Sequence, residues 1–111
     1  MTRHMTRLLT AVLLLLPFAA TAQEPERKVE RPNPENGAML AQRWCASCHV
    51  VSKSQTSASD STRSFAAIAQ SLDFNVERLA FFLLDPHPVM PNMTLSRNEA
   101  RDIAAFIATQ K

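Results

Sequence analysis

The sequence predicts an all-α fold of about four short helices joined by long connections. No stretch of the 111 residues alternates apolar and polar side chains with period two for the length of a strand. Apolar residues instead recur at three- and four-residue spacing in separate segments, and there are no internal repeats. Those segments are divided by Pro-rich or Ser/Thr-rich stretches, and capping residues mark where two of them start.

The first residues bear on location. Arg3, His4 and Arg7 precede Leu8 to Ala20 (LLTAVLLLLPFAA), an apolar run of signal-peptide length and short for a membrane span. Ala20-Thr21-Ala22 offers small residues at the cleavage positions, so residues 1–22 are expected to be an export signal. An uncleaved anchor is the alternative, and Pro17 within the short run argues against it. Cleavage would leave about 89 residues, room for one domain. The chain holds 12 Lys+Arg against 10 Asp+Glu, but Arg3 and Arg7 belong to the leader, so the remainder is formally neutral. That balance gives no support to nucleic-acid binding and predicts weak long-range steering of charged partners.

Residues 23–35 (QEPERKVERPNPE) are charged and Pro-rich and read as a flexible lead-in. The domain is expected over 36–111. Asn36-Gly37 opens a helix-like stretch in which Leu40, Ala41 and Trp44 share a face. Val50 to Ser64 reads as a solvated surface loop. FAAIAQSL, from Phe65, is a short apolar helix, and Asp73 or Asn75 would cap the next, VERLAFFLL. Asp85-Pro86-His87-Pro88 ends that helix. Ser96 with Glu99 is a capping box for a last helix, whose stripe is Ala100, Ile103, Ala104 and Ile107 with Phe106 beside it.

The chemistry lies in Cys45-Ala46-Ser47-Cys48-His49. At about 100° per residue, a helical run would put both thiols and the imidazole within roughly a 100° arc. A CxxCH run is the attachment signature of c-type haem, in which the thiols become thioethers and the next His reaches the iron. A structural zinc site would want two further ligands that the chain does not supply as a second CxxC or a His pair. A thioredoxin-like pair would want a βαβ context. A plain disulfide would leave His49 unexplained. A chain this short often needs a staple, and its only two cysteines are here.

From Asn36 to Lys111 the chain resembles the small monohaem class I c-type cytochromes: a Gly-bearing helix running into CxxCH, a Met in a Pro-rich loop, and a C-terminal helix that crosses the first. The resemblance implies haem c bound covalently through Cys45 and Cys48, with His49 as the proximal iron ligand. For the other face of the iron the candidates are Met90, Met93 and His87. Three prolines in Pro86-His87-Pro88-Val89-Met90-Pro91 exclude a helix and stiffen the loop. In the family the ligand is the Met directly before Pro, which falls on Met90. Met93 is the rival, with core packing beside Leu95 as its other role, and His87 would give bis-histidine ligation. Gly37 and Phe106 match the family's helix crossing, where a Cβ would hold the helices apart; a simple helix-start Gly is the other reading. Leu40, Trp44, Phe65, Ile68, Leu79, Phe82, Leu83, Ile103 and Ile107 are the expected core and haem wall. One departure is the absence of the Pro whose carbonyl, in many relatives, accepts the proximal His proton: this chain has Ser61-Thr62-Arg63-Ser64-Phe65. Arg63 and Arg78 could reach haem propionates or simply face solvent.

The resemblance implies a one-electron carrier of the bacterial periplasm rather than an enzyme, either diffusible or a subunit of a dehydrogenase. Its partners would be a dehydrogenase or quinol-oxidising complex and a terminal oxidase or reductase. A haem sensor or haem enzyme with a labile sixth ligand is the alternative.

Overall fold

Asn33 starts the first helix. Its side chain accepts the N–H groups of Glu35 (3.0 Å) and Asn36 (3.2 Å), and Pro34 follows where a helix has no use for its missing donor. The computed structural model describes residues 30–59, 62–85 and 88–111. Within these the chain is all-α, with no strand, and its helices are α1 (Pro34–Trp44), α2 (Phe65–Ala69), α3 (Val76–Leu84) and α4 (Arg97–Ala108). The expected export signal and residues 23–29 lie outside the described residues, as does His87.

The first helix therefore begins two residues before Asn36, and residues 30–33 are tied down rather than loose. The reason is Asp102, 8% exposed, whose carboxylate accepts the Asn33 N–H and the Asn36 side-chain amide, both at 2.7 Å. A carboxylate that leaves water needs such donors. Arg101 adds a bond to the Glu30 carbonyl (3.3 Å) and reaches Glu77 of α3 at 3.5 Å.

Ser64 caps α2 by accepting the Ala67 N–H (3.1 Å). That helix stops at Ala69, short of the expected Leu72, because the Ser71 hydroxyl turns back onto the Ile68 carbonyl and leaves Leu72 in solvent. Of the two cap candidates for α3, Asn75 fills the role, accepting the Arg78 N–H at 2.8 Å, while Asp73 meets the Arg78 guanidinium at 3.8 Å. The capping box of α4 has both reciprocal bonds: Glu99 N–H to Ser96 Oγ (3.2 Å) and Ser96 N–H to Glu99 Oε2 (2.8 Å). The backbone and side-chain bonds from Ser96 hold the Glu99 carboxyl below its ordinary range.

Helix α4 is the centre of the fold and packs against α1, α3 and α2. Its stripe of Ala100, Ile103, Ala104 and Ile107 is fully buried. The crossing with α1 is set by Gly37: a Cβ there would stand 2.0 Å from the Asp102 carbonyl oxygen and 2.9 Å from Phe106 Cβ. Both obstacles belong to a packed helix, so Gly37 is the contact point of the two helices and not merely a residue near a helix start. Of the expected core, Phe65, Leu83, Ile103 and Ile107 are buried, and Leu40, Trp44, Ile68 and Leu79 pack against them. Phe82 is the exception, 41% exposed. It lies about 200° round α3 from buried Ala80, toward the opposite side of the helix.

Candidate functional site

Helix α1 ends at Trp44, and Cys45 to Cys48 form a turn beyond it rather than the helical run expected. The turn still keeps a helix-like closure, with the His49 N–H on the Cys45 carbonyl at 2.8 Å and the Cys48 N–H on the same oxygen at 3.1 Å. Cys45 is buried in the core, Cys48 is exposed, and no disulfide joins them. As a free thiol Cys45 is pushed up to about 11, first by burial and then by neighbouring Cys48. Both sulfurs are thus available for bonds to another group.

His49 is held by its ring. Nδ1 lies 2.5 Å from the Arg63 carbonyl oxygen, and since a carbonyl only accepts, Nδ1 carries the proton and Nε2 is left with its lone pair. This backbone oxygen does what the missing Pro was expected to do, so the departure at Ser61 to Phe65 is met locally. The imidazole leans against Phe65 (centroids 5.6 Å apart, planes at 50°), and Phe65 meets Phe106 edge-on at 6.2 Å. A line of rings therefore runs from His49 to the α1–α4 crossing.

The loop between α3 and α4 holds both methionines. Met93 is 5% exposed and belongs to the core, against which Leu95 and half-buried Met90 pack. Asn92 Oδ1 accepts the Thr94 N–H (3.0 Å), and Thr94 has φ of 51°, in the left-handed region. Met39 points away from the core at 67% exposure. Arg63 lies on the surface with its guanidinium on the Ala67 carbonyl (2.8 Å), and Arg78 is exposed.

Two residues that the sequence reading passed over matter to the site. Val51 is buried in the core. Gln55, placed by that reading in a solvated loop, folds its amide back onto the Cys45–His49 segment. Among the described residues, no cluster of three or more His, Cys, Asp or Glu could hold a metal ion, and no helix is long and apolar enough to cross a membrane. Paired thiols beside an imidazole with one uncommitted nitrogen fit a haem c, which takes two thioethers and one axial nitrogen from this run.

No family model and no solved structure matches the chain. It is similar to cytochrome c-552 of Bradyrhizobium diazoefficiens, with 61% identity over 74 residues, covering 67% of this chain and 71% of the relative. The all-α fold, with its first and last helices crossing at Gly37, agrees with that likeness. The chain belongs to the small c-type cytochromes, electron-transfer proteins whose iron is carried in a covalently bound haem c.

Proposed function

We propose that this cytochrome is a one-electron carrier of the bacterial periplasm, with Cys45 and Cys48 as its thioether anchors, His49 as proximal ligand and Met90 as distal ligand. The observation that carries this reading is the His49 bond: with Nδ1–H committed to the Arg63 carbonyl, only Nε2 is left to bind iron. The haem c supplies one-electron exchange between ferric and ferrous iron.

The residues around it do the rest. Arg63 O fixes the tautomer of His49 and raises the basicity of its other nitrogen. Phe65 limits the ring's tilt. Pro88 and Pro91 bracket Met90 in a strap whose backbone has few alternative conformations, so a soft thioether is presented without much reorganisation. A His/Met pair suits a carrier of raised potential. Met93 serves instead as a core side chain, which its burial supports.

The apolar run of Leu8 to Ala20 supports export, as covalent haem attachment in bacteria requires. In the periplasm the protein would pass electrons from a dehydrogenase or quinol-oxidising complex to a terminal oxidase or reductase, freely or as an enzyme subunit. Visible spectra of the periplasmic protein in both redox states test this reading. A haem c spectrum with a Met–iron charge-transfer band is expected, lost in Met90→Ala and kept in Met93→Ala. The reverse pattern would move the distal bond to Met93. Carbon monoxide binding by the native reduced protein would favour a sensor or haem enzyme instead.

A further inference from the structure

We propose that Gln55 is the positioning residue of the haem-attachment turn, fixing the backbone that aims Cys45, Cys48 and His49. The proposal rests on the haem reading given above. A turn that follows a helix end exposes carbonyl groups with no helical partner, and each needs a donor from elsewhere. The loop after His49 provides them. Cys48 O accepts the Ser59 N–H at 3.2 Å and Val50 O accepts the Phe65 N–H at 2.9 Å. The carbonyls of Ala46 and His49, which bracket Cys48, both accept from Gln55 Nε2, at 2.8 and 2.9 Å. Ser57 O lies 3.0 Å from the same nitrogen, where it can only share one of its two protons, and Gln55 Oε1 accepts the N–H of buried Val51 (3.0 Å).

One side chain thus clamps the turn on both sides of the second cysteine. Only an amide of this length donates and accepts at once without carrying charge. The Gln55 N–H, on Ser52 O at 3.1 Å, closes the small turn that starts the amide on its way back. A glutamate would keep the Val51 bond and lose every donor, setting an anion against carbonyl oxygens. A methionine would keep the shape and lose both functions.

The test uses the ferric holoprotein in four forms: wild type, Gln55→Glu, Gln55→Met, and Asp102→Asn as a control destabilised away from the turn. Hydrogen exchange at His49 Nδ1–H, exchange at the Val51 amide, and the reduction potential are measured, with thermal melting alongside. Loss of more than one net hydrogen bond predicts Nδ1–H exchange faster by about tenfold or more in both Gln55 variants, with a shifted potential. Val51 protection should fall in Gln55→Met and persist in Gln55→Glu. Asp102→Asn should melt lower with ring exchange and potential unchanged. Gln55 variants that melt lower while keeping wild-type ring exchange and potential would overturn the proposal. Should Gln55→Glu yield no holoprotein, Gln55→Met decides alone. A wild type without a haem c spectrum would instead sink the haem reading itself.

Discussion

Replacing Gly37 with Ala tests the helix crossing by the sign of its effect. At a solvent-facing helical site the substitution is stabilising by roughly 0.5–1 kcal/mol, because Ala has less backbone freedom to lose. Here the added Cβ would stand 2.0 Å from the Asp102 carbonyl oxygen, 2.5 Å from its carbon and 2.9 Å from Phe106 Cβ. An ordinary contact needs roughly 3.4 Å or more, so α1 and α4 must part by more than about 1 Å along their line of contact. The obstructing oxygen is backbone inside α4, and Ala100, Asp102, Ile103 and Ala104 there are buried, so neither helix can yield alone. Overpacking of this kind costs about 1–3 kcal/mol, and rigid backbone on the far side places this case at the upper end. After the gain from Ala, the net expected loss is about 2 kcal/mol. Chemical unfolding of the ferric protein, followed by far-ultraviolet circular dichroism, should show a lower midpoint with unchanged slope. A midpoint equal to or above wild type would refute the close crossing and return Gly37 to a plain helix-start residue.

Other expectations follow from the same packing. Asp102→Ala strands the Asn33 N–H and the Asn36 amide beside a polar gap, and should cost about 2–4 kcal/mol in denaturant titrations. Met93→Ala empties a core position and should cost about 2–4 kcal/mol while the Met–iron band survives. Glu99→Gln probes pH. Because the folded carboxyl is held below its ordinary range, its contribution is present above the unfolded value and lost as pH falls through the folded one. The wild type should therefore exceed Glu99→Gln at neutral pH, with the gap closing as the solution is acidified below the usual carboxylate range. Phe65→Ala should cost about 3–5 kcal/mol and broaden the His49 ring resonances, since it removes the ring that His49 leans on.

Features written in side-chain chemistry were legible in the sequence. The Ser96–Glu99 box and the stripe from Ala100 to Ile107 each have a residue pattern with one mechanical meaning, the α3 cap was narrowed to Asp73 or Asn75, and the structure has the box, the stripe and the Asn75 cap in place. Gly37 opposite Phe106 was expected from the family resemblance, with a helix-start Gly as the other reading, and the close approach decides for the crossing. What escaped was the work of backbone atoms and of polar residues used unconventionally. Arg63 contributes its carbonyl to His49, and a carbonyl is the same in every residue. Gln55 sits in a Ser/Thr-rich run whose composition predicts only solvation. Asp102 lies on an amphipathic helix where an acid ordinarily marks the wet face, and its burial follows from two asparagines nearly seventy residues away. The boundary at Pro34 was missed for the same reason, because that contact holds residues 30–33 against α4.

Under the proposed ligation, the two ends of the site are braced by different means, which would suit a ligand pair that must hold still while charge changes. His49 is fixed by directional bonds: its ring N–H goes to Arg63 O, and its own carbonyl is held by Gln55. Directional bonds select a tautomer and an angle, which an imidazole requires because its two nitrogens are not equivalent. Met90 sits in a loop braced by proline rings, which narrow backbone freedom and specify no polar contact. A thioether has no proton to place and needs only to be kept near. The rings of Phe65 and Phe106 then join the directional half to the Gly37 crossing, so the close approach of α1 and α4 backs the side chain whose orientation matters most.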